Sequence, residues 1–287
     1  MKINLILVPY HLGRENDDMG KGPLRYLQAG ADKKLASLKN EVDIKKIRSA
    51  SHSKEILDAI ARVSLPLAQN VKKTIREGKL PFVLAGNCNV CLGMLGGLDT
   101  TKTGIIWFDA HGDINTPETT LSNYFDGMPL AIAHGRCYKS LRKKIGIEPP
   151  LPEAHTLMVG LRDLDPGETK HLKTSPITTI PAEKIKKLGV VRAMEAKIKK
   201  FSKHVKSVYL HIDVDVMDLK EAPAVNFPCP GGLTMKEMTE AILLIAKNFH
   251  ITAVALTNYN PEKEIHNKTL KTGLKLMTTI AKILQSV

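Results

Sequence analysis

Residues 105 to 115 carry the strongest signal in this chain, and they read Ile105-Ile106-Trp107-Phe108-Asp109-Ala110-His111-Gly112-Asp113-Ile114-Asn115. The apolar first part predicts a β-strand buried on both faces, and the polar residues mark the point at which this strand ends. In an extended segment every second side chain points to the same face, so the side chains of Asp109, His111 and Asp113 lie on one side. Two carboxylates and one imidazole in so small a volume indicate a cation site.

A second stretch with the same pattern lies later in the chain, where residues 208 to 218 read Val208-Tyr209-Leu210-His211-Ile212-Asp213-Val214-Asp215-Val216-Met217-Asp218. Asp213 and Asp215 again lie on one face of an apolar strand. Two acidic pairs at strand ends would repel one another unless a cation lay between them. Carboxylates with a little imidazole favour hard divalent ions such as Mn²⁺, and shared carboxylates favour a bridged pair. The alternative is that each acid is a solvated strand-end residue without a metal.

The rest of the chain alternates between short apolar segments and Lys-rich amphipathic stretches of helical length. The stretches from Ser53 to Glu77, from Ala182 to Val205 and from Thr234 to Asn248 predict helices. This alternation is typical of a parallel sheet with helices on both faces, whose active site lies at the carboxyl ends of the strands. The eight apolar segments lie near residues 3–8, 41–46, 81–85, 104–109, 155–160, 177–180, 207–213 and 251–257.

Composition restricts the class of protein. With 287 residues, 43% hydrophobic residues and no linker, the chain predicts one domain spanning residues 1–287. The first apolar run, Ile3 to Pro9, is too short for a membrane span and lacks a signal-peptide cleavage pattern, and the four cysteines fit a reducing compartment. We therefore expect a cytoplasmic protein with no membrane partner. The net charge of +13 is scattered over helix faces and aromatic residues make up only 5%, which argues against a nucleic-acid partner.

The two acidic motifs resemble those of a known family. Asp109-Ala110-His111-x-Asp113 followed by Ile114-Asn115, together with Asp213-x-Asp215-x-x-Asp218, look like the signatures of the ureohydrolase superfamily of arginases, agmatinases and formiminoglutamases. The resemblance covers nearly the whole chain. It implies an α/β fold, a three-layer αβα sandwich with an eight-stranded, mainly parallel sheet. It also implies a metal-dependent hydrolase of a linear amidine, such as an arginine-like substrate that releases urea, and a homo-oligomer that is a trimer or a hexamer.

The resemblance implies a centre of two divalent cations, most simply Mn²⁺. Asp109 and Asp213 would bridge the pair, and Asp113 would also take up a proton for the leaving amine. The residues that match metal ligands of the family are Cys88, Asp109, His111, Asp113, Asp213 and Asp215.

Cys88 departs from the family pattern, because the segment from Ala85 to Gly93 resembles one in which a His is the ligand. One alternative is a thiolate ligand, which would shift the preference towards softer ions. The other is a neutral buried thiol that leaves one metal a ligand short.

The resemblance also assigns residues to the substrate. Asp126 stands where arginases carry a His that shuttles protons to the leaving amine, and a carboxylate can carry a proton if burial raises its pKa. The positions that match substrate contacts are Asn115, Ser122, Asp163, Asp165, Glu168 and Asn258. Asn115 and Ser122 would bind the α-carboxylate of the substrate, and the three acids would bind its α-ammonium group. The alternatives are turn and cap chemistry for the first two and a helix start salt-bridged by Arg162 for the acids.

Asn258 is the largest departure from an arginase pattern. The family typically carries Glu-Val-Asn-Pro here and its Glu binds the guanidinium group, whereas this chain reads Asn258-Tyr259-Asn260-Pro261. A neutral amide cannot balance a buried guanidinium charge as a carboxylate can. Three hypotheses therefore stand together: an arginase-like hydrolase, a hydrolase of a different amidino or amide group on the same fold, and a non-catalytic homologue that binds a metal or a ligand.

Overall fold

The computed structural model describes residues 1–49 and 53–287. Its strands are β1 (Lys2–Val8), β2 (Tyr10–His11), β3 (Arg14–Glu15), β4 (Glu41–Lys46), β5 (Leu80–Ala85), β6 (Thr103–Phe108), β7 (Thr156–Val159), β8 (Thr178–Ile180), β9 (Ser207–Asp213) and β10 (His250–Thr257). Eight of them form a single parallel sheet in the order β4-β1-β5-β10-β9-β6-β7-β8, and β2 pairs with β3 as a short antiparallel hairpin.

Helices occupy most of the connections between these strands. They are α1 (Gly22–Gln28), α2 (Ala31–Ala36), α3 (Ile56–Arg76), α4 (Val90–Gly96), α5 (Pro129–Ala133), α6 (Lys139–Ile145), α7 (Pro166–Thr174), α8 (Ala182–Leu188), α9 (Val190–Phe201), α10 (Met235–Ala246) and α11 (Lys268–Ser286). In the two described ranges, none of these helices combines the length and the apolar character that crossing a bilayer requires.

Side chains of the central strands alternate between two hydrophobic cores. Ile106 and Phe108 of β6 lie in one core, together with residues of α9, α10 and α11. Ile105 and Trp107 lie in the other core, together with residues of α3, α4, α5 and α6. Because both faces of β6 are buried, its sequence is a continuous apolar run and does not alternate with polar residues. One sheet between two helical layers is the three-layer αβα sandwich that the motifs implied, and that expectation is confirmed.

The predicted strand segments agree with this sheet to within one residue at either end. The predicted helix from Ala182 to Val205 is wrong in one respect, because the chain forms two helices there, α8 and α9. Gly189 separates them with a φ of +78°, a conformation that ends α8 and that glycine adopts without Cβ strain.

Strand register determines which residues meet at the carboxyl edge of the sheet. Phe108 of β6 is paired with Ile212 of β9, so Asp109 and Asp213 follow side by side. Thr257 of β10 is paired with Asp213, and β10 is also paired with β5, which leads into the turn of Cys88. Residues far apart in sequence therefore lie together at the ends of four adjacent strands.

Candidate metal centre and active site

A cavity of about 410 Å³ lies at the carboxyl ends of β5, β6, β9 and β10. Two of the predicted site residues, Cys88 and Asp109, are fully buried in contact with residues that line it. The predicted site residues that line the cavity directly are His111, Asp113, Asn115, Ser122, Asp126, Asp163, Asp165, Glu168, Asp213, Asp215 and Asn258. The structure thus brings all thirteen predicted residues to one place.

Two sets of metal-ligating atoms lie close together, each with its atoms within 4.8 Å of one another. The sets are Cys88, Asp109 and Asp113, and Asp109, His111 and Asp215. Asp109 belongs to both sets. Asp213 lies beside the first set, because its Oδ2 is 3.1 Å from Sγ of Cys88. This arrangement can hold two cations that share a carboxylate.

The carboxylates in this centre carry more negative charge than the protein balances. Burial and the negative charge of Asp215 raise the pKa of Asp109 to about 7. Burial, and then neighbouring carboxylates, also raise the pKa of Asp113 and of Asp213 well above the usual range. Burial disfavours a charged His111, but its contacts with Asp109 and Asp215 outweigh this and hold its pKa far above the ordinary value. One imidazolium cannot neutralise four buried carboxylates, so these residues fit divalent cations.

Backbone contacts hold the ligands in place before any ion binds. Oδ1 of Asp109 accepts a hydrogen bond of 2.7 Å from the backbone N–H of His111, and Oδ1 of Asp213 accepts one of 2.8 Å from the backbone N–H of Asp215. Asp113 has a φ of +50°, a left-handed conformation that non-glycine residues rarely adopt. Such backbone strain is often found at functional sites, where the surrounding structure maintains it.

The start of α7 forms an acidic wall of the cavity. Asp165 and Glu168 form a capping box, in which Oε2 of Glu168 accepts a 3.0 Å hydrogen bond from the backbone N–H of Asp165. Oε1 of Glu168 accepts another of 3.1 Å from the backbone N–H of Ile114. The amide of Asn115 donates a 2.8 Å hydrogen bond to Asp165. The turn chemistry therefore exists, and it fixes two carboxylates at the cavity, where they can attract a cationic group.

Asp163 and Ser122 lie at the more exposed side of the cavity. The Asp163 side chain is 65% exposed and lies 3.7 Å from Nε2 of His111. The hydroxyl of Ser122 accepts a 3.2 Å hydrogen bond from the backbone N–H of Tyr124. The guanidinium of Arg162 donates to five backbone carbonyl oxygens. Its contacts therefore brace the loops around the metal ligands and do not form the salt-bridged helix start considered as an alternative.

Comparison with known proteins settles the family. The model of the Arginase family matches residues 1–282. This chain belongs to the arginase family. The arginase of Bacillus caldovelox is 32% identical to it and that of Bacillus subtilis (strain 168) is 33% identical, in each case over 292 aligned residues that cover 97% of both proteins. The solved native structure of the Bacillus caldovelox arginase matches with a TM-score of 0.89 at 30% identity and covers 98% of each chain.

Membership of the arginase family confirms the resemblance of the two acidic motifs and supports a hydrolase of the ureohydrolase type. Three of the predicted site residues in this arginase-family chain depart from the family pattern, namely Cys88, Asp126 and Asn258. The structure shows what each of them contacts.

Asp126 holds the turn that precedes α4 in this arginase-family chain. Its Oδ2 accepts hydrogen bonds from Nδ2 of Asn87 at 2.8 Å and from the backbone N–H of Cys88 at 3.1 Å, and its Oδ1 accepts one from the backbone N–H of Asn89 at 2.7 Å. Burial raises the pKa of Asp126, although these three bonds oppose the shift. The contacts give it a structural role, and its role as a proton carrier stays a prediction.

Asn258 contacts a predicted metal ligand. It follows β10 with a left-handed φ of +65°, and its Nδ2 donates a hydrogen bond to Oδ2 of Asp213 and lies 3.5 Å from Sγ of Cys88. Its Oδ1 is buried and has no hydrogen-bond partner in the described part of the chain. The side chain therefore lines the cavity as a neutral amide whose oxygen is enclosed.

Sequence reasoning missed three buried aromatic residues behind the metal centre. Trp107 stacks on His211 with ring centroids 3.7 Å apart, and its Nε1 donates a 2.9 Å hydrogen bond to Asp109. The hydroxyl of Tyr209 lies 2.7 Å from Nδ1 of His211. A signal was present, because Trp107 precedes Asp109 by two residues and His211 precedes Asp213 by two, which places each on the same strand face as the ligand.

Proposed function

We propose that this arginase-family chain hydrolyses a C–N bond of a linear amidine with two bound divalent cations, and that an arginine-like amino acid is its substrate, with urea and an ornithine-like product released. The observation that carries the proposal is the overlap of the two donor sets at Asp109. Overlapping donors favour a bridged pair over one isolated ion. The identity to two Bacillus arginases supports the substrate class.

The ligand assignment combines the two donor sets with the family resemblance, which implies that Asp213 is a ligand of both cations. One cation would take Cys88, Asp109, Asp113 and Asp213, and the other would take Asp109, His111, Asp213 and Asp215. Oxygen ligands with one imidazole fit Mn²⁺ at the position of His111. When bound, such a pair of ions supplies the Lewis acidity that ionises water near neutral pH.

Residues of the chain itself would move the protons. Asp113 lines the cavity next to the proposed cations, so it is placed to accept a proton and deliver it to the leaving amine. Asp126 would serve as a second carrier at the cavity edge. Because it holds the turn of Cys88, proton transfer at Asp126 would weaken the hydrogen bonds that it accepts there.

The outer part of the cavity would bind the amino-acid head of the substrate. Asp163, Asp165 and Glu168 supply negative charge for an α-ammonium group, and Asn115 and Ser122 supply polar groups for an α-carboxylate. We expect this small molecule to be the main partner of the chain. By its likeness to arginases, we also expect a cytoplasmic homo-oligomer.

The test is a pair of acidic substitutions in one motif. Asp213→Asn keeps the shape of the side chain and removes charge from both cation positions, so we expect it to lose the bound ions and the release of urea from arginine. Asp218→Asn is the matched control, because Asp218 lies in the same motif and caps the following turn outside the cavity lining. Metal analysis and a urea assay read the outcome. An Asp213→Asn protein with both ions and full turnover would sink the proposal.

A second candidate is hydrolysis of a different amidino or amide group, and the contacts of Asn258 favour it. A neutral amide that donates to Asp213 suits a less charged reacting group than guanidinium. Assays with arginine, agmatine, guanidinobutyrate, formiminoglutamate and acetylated amines separate the candidates. Turnover of a non-guanidino substrate without urea release would favour this second function. No turnover together with fewer than two bound ions would favour the non-catalytic homologue.

A further inference from the structure

The sulfur of Cys88 has an unusual set of neighbours for a buried thiol. Sγ lies 3.2 Å from Nε2 of His211, 3.3 Å from the hydroxyl of Thr257 and 3.5 Å from Nδ2 of Asn258. It also lies 3.1 Å from Oδ2 of Asp213, a predicted metal ligand. Three groups that can donate a hydrogen bond therefore surround a single sulfur atom at the edge of the metal centre.

His211 is held in one orientation with respect to this sulfur. Its ring is parallel to that of Trp107 within 2°, and its Nδ1 lies 2.7 Å from the hydroxyl of Tyr209. The ring is fully buried, and its two nitrogens face the hydroxyl of Tyr209 and the sulfur of Cys88. If Tyr209 donates to Nδ1, the hydrogen lies on Nε2 and points at Cys88, and every polar atom of the ring has a partner.

A neutral thiol leaves one of these groups without a strong acceptor. Asn258 and Thr257 also contact Asp213 and the backbone carbonyl of Ile212, whereas the sulfur, a weak acceptor as a thiol, is the one partner of Nε2 of His211 in the described part of the chain. A thiolate is a strong acceptor for an N–H at this position. Sγ of Cys88 lies within 4.8 Å of ligand oxygens of Asp109 and Asp113, so a thiolate there needs a cation to balance the negative groups around it.

We propose that Cys88 binds one of the two cations as a thiolate, and that His211 is the positioning residue that holds this thiolate through a hydrogen bond from Nε2–H to sulfur. The inference rests on the two-metal function proposed above and defines the chemistry of one of its positions. A thiolate ligand makes that position prefer a borderline-soft divalent ion of the Zn²⁺, Co²⁺ or Fe²⁺ class over Mn²⁺. The position of His111 keeps its harder ligands.

Binding exchanges one bond at sulfur for another. Without a metal, the S–H of Cys88 is placed to donate to Oδ2 of Asp213. With a metal, a metal–sulfur bond replaces the S–H bond, and the proton leaves to solvent through the cavity. No electron is transferred, so no oxidant or reductant is required.

The test is a Co²⁺ titration of the full chain, because a thiolate bound to Co²⁺ gives a sulfur-to-metal charge-transfer band in the near ultraviolet. We expect the band in the unmodified protein and its loss in Cys88→Ala. Cys91→Ala is the matched control, because Cys91 is an equally buried thiol of the same Cys-x-x-Cys segment and does not belong to either donor set. We expect that control to keep the band.

The role of His211 is tested by removal of its N–H. His211→Phe keeps an aromatic ring against Trp107, and we expect it to weaken Co²⁺ binding about 10- to 100-fold and to move the band to longer wavelength. Tyr209→Phe removes only a hydroxyl, so it gives a smaller shift in the same direction and serves as the second variant if His211→Phe does not fold. A purely structural role for the ring would not move the band.

Each outcome bears on a different claim. Two Co²⁺ ions per chain without a band that depends on Cys88 would overturn this inference and leave the two-metal hydrolase standing. An unchanged band and affinity in both His211→Phe and Tyr209→Phe would overturn the role of His211. A chain that binds no divalent cation would overturn this inference and the proposed function together.

Discussion

At the scale of single residues, the three departures from the arginase motif are neighbours in space. Asp126 accepts a hydrogen bond from the backbone of Cys88, and Asn258 lies 3.5 Å from the sulfur of Cys88. When two residues are in contact, the free-energy changes caused by substituting each of them do not add, so these three positions cannot be considered independently. The sequence shows three separate anomalies, whereas the structure shows one connected group beside Asp213.

Substitution of Asn258 tests what this group does to substrate choice. Asn258→Glu introduces a carboxylate that can pair with a guanidinium, so we expect the ratio of kcat/KM for arginine to that for citrulline, its neutral ureido analogue, to rise about 10-fold, equivalent to about 1.4 kcal/mol. Asn258→Gln is the control for side-chain length. An unchanged ratio in Asn258→Glu would show that this position does not contact the reacting group.

The raised pKa values of buried carboxyl groups predict how the stability of the metal-free protein depends on pH. Burial and the charge of Asp215 raise the pKa of Asp109 from 3.8 to about 7 on folding. The folded state then binds more protons than the unfolded state between these values, so stability falls as pH rises from about 4 to about 7. With metal chelated, we expect the Tm to be higher at pH 5 than at pH 7.

The same experiment contains its own controls. Added divalent ions should raise the Tm most at pH 7, because they neutralise carboxylates that are then ionised. Asp109→Asn should flatten the pH dependence of the chelated protein. A chelated protein whose Tm rises steadily from pH 5 to pH 7 would contradict the charge balance described for the centre.

At the scale of elements, the turn between β5 and α4 joins the sheet to the metal centre. Gly86 lies in this turn, and a Cβ there would collide with the backbone carbonyl of Tyr10, so no larger residue fits without movement. Asp126 then secures the turn through the backbone N–H groups of Cys88 and Asn89. The position of the Cys88 sulfur therefore depends on contacts from outside its own segment.

Loss of the hydrogen bonds that Asp126 accepts from this turn should destabilise the protein whether or not Asp126 carries protons. Asp126→Ala leaves two buried N–H groups without partners, and we expect the free energy of unfolding to fall by about 1–3 kcal/mol in a denaturant titration. Asp126→Asn keeps one acceptor and should lose less. Equal stability of Asp126→Ala and the unmodified protein would rule out the structural role.

The sequence predicted most of the strands and helices, but it did not predict the contacts between residues far apart in the chain. The strand β6 is a continuous apolar run because both of its faces are buried, and this makes it visible in the sequence. The break at Gly189 was missed, because the amphipathic pattern continues across it and only the backbone conformation differs. The contact of His211 with Cys88 joins residues 123 positions apart, and no local pattern encodes such a distance.

At the scale of the whole molecule, the order of the strands in the sheet determines which residues meet at the site. The strands β5, β10, β9 and β6 are adjacent in the sheet although other elements separate them in the chain. Their carboxyl ends bring together Cys88, Asn258, Asp213 and Asp109. Hydrophobic periodicity predicts parallel strands but not this order, because the pattern of each strand carries no information about its neighbours in the sheet.

Oligomeric state is a prediction at this scale. By its likeness to arginases we expect a trimer or a hexamer of the 31.6 kDa chain, and light scattering coupled to size-exclusion chromatography measures the mass directly. A monomer at every concentration tested would contradict this expectation without bearing on the metal centre.

The proposed active site depends above all on two cations that share Asp109. Anomalous X-ray diffraction from crystals of the metal-loaded protein locates each ion independently of the protein model used to phase it. We predict two peaks about 3.5–4 Å apart, both within ligand distance of Asp109 and of Asp213. A single peak, or two peaks of which only one contacts Asp109, would contradict it.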